Sequence, residues 1–254
     1  MDSKSIITVQ GLSAVFQNGN GGLRALAQVS FAIDPQEFVC ILGPSGSGKS
    51  TLLRILAGLL PATSGEVRFA GEILNGPRHG IGLIFQRANL MPWRTVLENI
   101  LLPLELMKLP RSQALLQAQE MVELVGLQGF EGTLPRDLSG GMAQRVAIGR
   151  ALIYDPDVLL LDEPFGGLDA LTRERMAGEL LNIWQARRKT VVMVTHSISE
   201  ALFLADRVLV LSQRPGQIHL DMPVELGRPR LDSIRYTPEF GSLARQLRAA
   251  IGEN

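Results

Sequence analysis

The chain has 254 residues with 25 Lys+Arg against 25 Asp+Glu, a formal net charge of zero with histidine neutral, and 46% hydrophobic residues. At roughly 150 residues per domain this is one large domain or two small ones with an ordinary globular core, which excludes a disordered chain. The charge balance argues against a dedicated nucleic-acid binder, since phosphate neutralisation calls for a basic excess.

Only one cysteine, Cys40, is present, so no internal disulfide can form, and a reducing compartment is expected. Uninterrupted apolar runs stop at five residues, at Phe38 to Leu42 and Ala201 to Ala205, where a membrane span needs about 20. The first residues, with Asp2 and Lys4, give no reason to expect export, and the expected location is the cytoplasm.

In chain order, short apolar runs recur between Gly, Pro and Asp: Phe38 to Leu42, Ile81 to Phe85, Val158 to Leu161, Val191 to Val194 and Val208 to Leu211. Each is apolar throughout rather than alternating, the pattern of strands buried on both faces of a parallel sheet, so the chain is expected to be α/β. A helix is expected over Leu52 to Leu60, another around Met176 to Ala186 with Trp184 in the core, and a terminal one with Phe240, Leu243, Ala244, Leu247 and Ile251 on one face. The stretch 87–157 reads as a helical insertion. In it Ser112 is the expected N-cap of a helix whose stripe is Leu115, Leu116, Ala118, Met121, Val122 and Val125. His79 and His219 are expected at the surface and Cys40 as inert core.

Gly43-Pro44-Ser45-Gly46-Ser47-Gly48-Lys49-Ser50-Thr51 follows the first strand and opens a helix, matching G-x-x-x-x-G-K-[ST] in its required context. Glycines let backbone N–H groups close around phosphates at a helix N-terminus. Lys49 is placed at the β- and γ-phosphates and Ser50 on Mg²⁺. This motif alone leaves kinases, GTPases and ATPases open. Val158 to Leu161 delivers Asp162 and Glu163 to a strand end, Asp162 suited to hold Mg²⁺ and Glu163 to polarise the attacking water. Leu138-Ser139-Gly140-Gly141-Met142 at a helix start is a second phosphate-type site in a chain that already has one for its own nucleotide, while Gln86 and His196 end strands.

The order Gly43 to Thr51, Gln86, Leu138 to Met142, Leu161 to Pro164, Gly167-Leu168-Asp169, His196 resembles ABC transporter ATP-binding subunits. That resemblance implies a P-loop NTPase with a RecA-like mixed sheet core over 1–86 and 158–230, an inserted α-helical subdomain over 87–157 and a helical tail over 231–254. It implies a homodimer in which ATP lies between the phosphate loop of one copy and Leu138, Ser139, Gly140, Gly141 and Met142 of the other. Glu163 would then be the general base, His196 the γ-phosphate sensor, Gln86 the metal and γ-phosphate link to the insertion, Asp169 a contact to the opposite copy and Phe16 the adenine-stacking aromatic. Met142 stands where most members carry Gln, and Gly167 where alanine is commoner. Phe85-Gln86 followed by Leu90 to Ile100, Met142-Ala143-Gln144-Arg145, Glu163-Pro164-Phe165-Gly166-Gly167-Leu168-Asp169 and Arg214-Pro215-Gly216 are similar to the nitrate, sulfonate and taurine importer subgroup. The resemblance implies ATP and Mg²⁺ as cofactors, a separate permease as partner, an indirect link to an extracytoplasmic solute-binding protein, no nucleic acid, and a peripheral place on the cytoplasmic face of the inner membrane. The other readings are a soluble ABC-type ATPase not coupled to transport, a P-loop kinase and an exporter motor.

Overall fold

Phe38, Cys40 and Leu42 belong to one apolar cluster while Val39 and Ile41 belong to another, so this single strand divides two cores by its alternating side chains. In the computed structural model, which describes residues 5–17 and 22–252, it is the third of ten strands. The outermost residues of the expected first and last segments, including Asp2 and Lys4, lie outside the described residues.

The elements run β1 (Ile7–Phe16), β2 (Leu23–Ile33), β3 (Phe38–Leu42), α1 (Lys49–Leu56), β4 (Ser64–Phe69), β5 (Glu72–Ile73), β6 (Ile81–Ile84), α2 (Val96–Leu106), α3 (Arg111–Leu124) and α4 (Gly140–Leu152). They continue with β7 (Val158–Asp162), α5 (Ala170–Arg187), β8 (Thr190–Val194), α6 (Ile198–Leu204), β9 (Arg207–Leu211), β10 (Ile218–Pro223) and α7 (Pro238–Ile251). The larger sheet has the order β10-β9-β3-β8-β7-β6, with every pair from β9 to β6 parallel and β10 antiparallel at the edge. All five expected strand runs lie in it, and β3, β7 and β8 are buried at every residue, as two-sided covering requires. Parallel strands all point the same way, so β3, β6, β7 and β8 bring Gly43, Gln86, Glu163 and His196 to one edge.

A second, antiparallel sheet of order β2-β1-β4-β5 has no counterpart in the sequence reading. Its period-2 signal is broken. Register shifts interrupt β1 between Val9 and Leu12 and between Leu12 and Ala14, so Ser13 and Ala14 are both buried.

Three helix boundaries differ from expectation. α1 begins at Lys49, inside the glycine motif, and ends at Leu56, because Gly58 adopts φ +71° and turns the chain. Pro110 takes the N-cap position of α3, its fixed φ suiting a helix entrance, and Ser112 lies within the helix. In α3 the buried face is Ala114, Ala118, Met121 and Val122; Leu116 is 63% exposed, on the side away from α2 and α4. Trp184 is core as expected, edge-on to Phe38 with centroids 5.8 Å apart and its indole N–H donating to Lys189 O at 2.7 Å. α7 buries Phe240 and Leu247 and is N-capped by Thr237.

Candidate functional site

The phosphate loop is held open by backbone geometry only glycine supplies. Gly48, at φ +94°, caps α1, and a Cβ there would lie 2.8 Å from Ala25 O. Lys49, only 7% exposed, folds back over the loop and donates to Gly43 O at 2.7 Å and Pro44 O at 2.9 Å. Burial pulls its ammonium below the usual lysine range, and the nearby Glu163 and Asp162 charges oppose that shift.

Ser50 donates to Asp162 Oδ1 at 2.9 Å, joining the first turn of α1 to the end of β7. Burial pushes the Asp162 carboxyl up, and the Ser50 hydroxyl pulls it down. These are hard oxygen donors side by side, a set that fits Mg²⁺, which takes one or two carboxylates and completes its shell with phosphate and water. Among the described residues no group of three or more His, Cys, Asp or Glu forms a protein cage of its own.

Glu163 stands one residue past β7 at φ +45°, a left-handed conformation that costs about 1–2 kcal/mol outside glycine. The bend is tied down by Glu163 N to Val194 O at 2.9 Å and Gly166 N to Glu163 O at 2.9 Å. Two side chains meet its carboxylate at the same oxygen: Gln86 Nε2 at 3.4 Å and His196 Nδ1 at 3.4 Å. Phe16, Ser45, Gly46, Gly48, Lys49, Ser50, Thr51, Glu163 and His196 line one cleft of about 360 Å³, with Leu23, Ala25 and Arg214. Phe16 is 40% exposed at its wall, whereas Phe31 is buried in the antiparallel core. Gly43 and Pro44 lie under Lys49, and Ser47 is buried within the loop.

Leu138 to Met142 are absent from that lining. Ser139 N-caps α4, its hydroxyl accepting from Met142 N at 3.3 Å, and Ser139 and Gly140 are exposed. Gly141 packs where a Cβ would touch Thr172 and Met176 of α5, and Gly140 where it would meet Leu168. Asp169 N-caps α5, accepting from Thr172 N at 3.0 Å, and hydrogen bonding from the Thr172 side chain, with its backbone N–H, holds the carboxyl below the usual range. One chain thus assembles the phosphate loop, Asp162, Glu163, Gln86 and His196, and leaves the Ser139 helix end and Asp169 on its surface.

The sequence assigned no role to three supporting groups. Arg214 lines the cleft from the β9–β10 connection. Glu200 accepts from Thr195 Oγ1 at 2.5 Å, next to His196, and faces Arg173 at 3.6 Å. Asn99 pins the loop that follows Gln86. Only the last region carried a readable signal, the T-x-x-E spacing of Thr95 and Glu98, a capping box at the start of α2.

Residues 26–166 match the ABC transporter family. An ABC transporter ATP-binding protein of Methanocaldococcus jannaschii is 46% identical over 224 residues, 88% of this chain and 84% of that protein. A taurine import ATP-binding protein of Rhizobium johnstonii is 44% identical over 234 residues, covering 90% and 89%, and an aliphatic sulfonates import ATP-binding protein of Bacillus cereus 44% over 225 residues, covering 88% of each. Among solved structures, a dimeric ATP-binding cassette in a post-hydrolysis state with ADP and phosphate superposes with a TM-score of 0.75 at 33% identity, covering 87% of this chain and all of that one. A subunit of an ABC transporter complex of Clostridium perfringens superposes at 0.79 with 25% identity, covering 97% and 95%.

Proposed function

Because this chain belongs to the ABC transporter family, we propose that it is the ATP-hydrolysing motor subunit of an importer for a small anionic or zwitterionic solute of the taurine, sulfonate or nitrate kind. The observation that carries the chemistry is the convergence of Gln86 and His196 on one oxygen of Glu163, in the cleft that Lys49 and Ser50 also line. Taurine and sulfonate rest on the two import relatives, and nitrate on the resemblance of the 90–100 and 214–216 segments.

In this reading the nucleotide's phosphates lie in the Gly43 to Thr51 loop, with backbone N–H groups and the N-terminus of α1 facing their charge. Lys49 exchanges its two carbonyl partners for β- and γ-phosphate oxygens, and Phe16 stacks on adenine at the outer end. Ser50 and Asp162, with the Gln86 amide, would hold Mg²⁺, which supplies charge neutralisation across the phosphates. Glu163 accepts the proton of the attacking water. His196 keeps that carboxylate aimed and meets the γ-phosphate. Catalysis here is positioning and electrostatics, since the transferred phosphoryl needs little covalent help.

A second copy of the chain completes the site. Ser139, Gly140, Gly141 and Met142 offer the N-terminus of a 13-residue helix, α4, and the cleft of the same chain does not receive it. The paired arrangement puts it on the γ-phosphate of the opposite copy, with Asp169 at the dimer contact. Gln86 then relays occupancy to the 87–157 subdomain, whose exposed Pro92-Trp93 loop meets the permease, while 1–86 and 158–230 form the catalytic core and 231–254 the tail. No helix among the described residues is long and apolar enough to cross a membrane, and in this reading the membrane path belongs to separate permease subunits. The subunit works on their cytoplasmic face, and an extracytoplasmic binding protein delivers the solute.

The test is uptake by membrane vesicles that carry a permease of the taurine or sulfonate import kind, with the chain and ATP inside. Labelled taurine, an alkanesulfonate and nitrate are offered in turn with a matching binding protein. ATP-dependent uptake of at least one, abolished by Lys49→Ala, is expected. Hydrolysis without uptake of any, and without association with the permease, would favour an ATPase uncoupled from transport.

A further inference from the structure

Arg214 stands on the cleft wall with Lys49, and the chemistry of Glu163, Gln86 and His196 makes no use of it. It sits in the short connection between β9 and β10, which is fastened to the nucleotide side of the molecule. Gly216 N donates to Ala25 O at 2.9 Å and Ala27 N to Gly216 O at 3.0 Å, while a Cβ on Gly216 would come within 2.1 Å of Ser47 O. The backbone therefore runs in contact with the phosphate loop, and only glycine permits that approach.

From this anchored turn the guanidinium reaches the loop itself. Arg214 Nε donates to Gly46 O at 3.1 Å, and its Nη2 lies 2.8 Å from where a Gly46 Cβ would stand, so Gly46, at φ +77°, leaves room for it. Among the described residues Arg214 has no acidic partner, and its only hydrogen bond is to Gly46, leaving the other N–H donors of the fork uncommitted.

Charge makes the position consequential. Glu163 lines this cleft opposite Lys49, while Asp162 lies behind Ser50, where the charges of Arg54 and Lys49 both act on it. A polyphosphate entering the cleft meets the Glu163 carboxylate on its wall, and Arg214 adds a second cation beside Lys49 to hold it. Resting on the reading that the cleft binds ATP, we propose that Arg214 is a phosphate-binding residue, closing on the nucleotide's phosphate chain from the Gly46 end of the loop while Lys49 holds it from the other. The planar fork is suited to this, because one N–H stays on the Gly46 carbonyl while the others bond phosphate oxygens.

The experiment compares the unaltered chain, Arg214→Gln and Arg214→Lys by calorimetric titration with ATP and, separately, with inorganic tripolyphosphate, which has no base or ribose. Thermal unfolding without ligand is run alongside. The expectation is that Arg214→Gln weakens both ligands about tenfold, the loss of a charge-assisted phosphate contact at a solvent-facing site. Arg214→Lys should recover part of that loss, and all three should unfold at the same temperature. Affinity of Arg214→Gln within twofold of the unaltered chain for both ligands overturns the assignment. A loss confined to ATP also overturns it, because the contact would then be to the nucleoside. Arg214→Lys binding both ligands no better than Arg214→Gln also overturns it, because the positive charge would then contribute nothing and Arg214 would only support Gly46. Failure of the unaltered chain to bind either ligand would instead strike the nucleotide reading itself, and this assignment with it.

Discussion

Asn99 is completely buried and clasps Met91 at both ends of its amide: Oδ1 accepts from Met91 N at 2.8 Å and Nδ2 donates to Met91 O at 3.2 Å. The same Nδ2 also reaches Arg94 O at 2.9 Å and Thr95 O at 3.0 Å. One side chain in α2 therefore sets the path of residues 91–95, and Trp93 is presented on a rigid turn with 73% of its surface exposed. An exposed tryptophan on a fixed turn adds nothing to the isolated fold and suits an interface anchor. The alternative, that Trp93 packs the helical insertion against the sheet, is at odds with that exposure.

Trp93→Ala should accordingly leave the stability of the isolated subunit within about 0.5 kcal/mol of the unaltered chain, as for other exposed sites, while assembly with the permease and uptake fall. Asn99→Ala should cost about 2–3 kcal/mol, because buried backbone groups lose their partners. Denaturant unfolding of both variants beside vesicle uptake separates the two roles. A Trp93→Ala loss of about 3–5 kcal/mol would return this residue to the core.

Asp162→Asn separates stability from function. Burial raises the Asp162 carboxyl above its unfolded value, so the ionised group opposes folding at neutral pH, and that penalty begins to fade as pH falls through the raised folded value and is gone below the unfolded one. An amide keeps the acceptor for Ser50 and carries no charge. The variant should melt at or above the unaltered chain near neutrality, with the difference vanishing in acid, yet gain less stabilisation from ATP with Mg²⁺. Melting curves from acid to neutral pH check both halves; a variant destabilised at neutral pH would show that Asp162 is needed as a charge even without nucleotide.

Ser139→Arg tests the opposed-copy geometry. Ser139→Arg homodimers and Lys49→Ala homodimers should each be inactive, since every site has one damaged half. Mixed dimers recover one intact site, formed by the phosphate loop of the Ser139→Arg chain and the Ser139 helix of the Lys49→Ala chain. Hydrolysis regained on mixing is the expected signature. Full activity of Ser139→Arg alone would mean that each chain works by itself.

The catalytic edge of the larger sheet was legible because its strands are buried on both faces, so Phe38 to Leu42 and Val158 to Leu161 stand out as solid apolar runs, each followed by its chemistry at the next residue. The antiparallel sheet was not. Bulges near Gly11 and at Gln28, the latter at φ +53°, shift the alternation of β1 and β2 by one residue and hide it. Gln86 and His196 announced themselves only through their order along the chain, since nothing local says that both will meet Glu163. Arg214 acts on Gly46, 168 residues away in sequence, and Glu200 on Arg173 from another helix, contacts no local spacing reaches, whereas Asn99 works within eight residues through a buried amide that no apolar pattern marks.

Glu163→Gln gives the most direct test of the central claim, that this chain hydrolyses ATP in a site shared between two copies. The amide keeps the size of the side chain and loses the base, so hydrolysis should fall by about two to four orders of magnitude while ATP binding persists. With ATP and Mg²⁺ the trapped nucleotide should then glue two copies together, and light scattering should report twice the chain mass, collapsing to a single chain when ADP replaces ATP. A Glu163→Gln chain that binds ATP and stays at the mass of one copy would contradict the shared site.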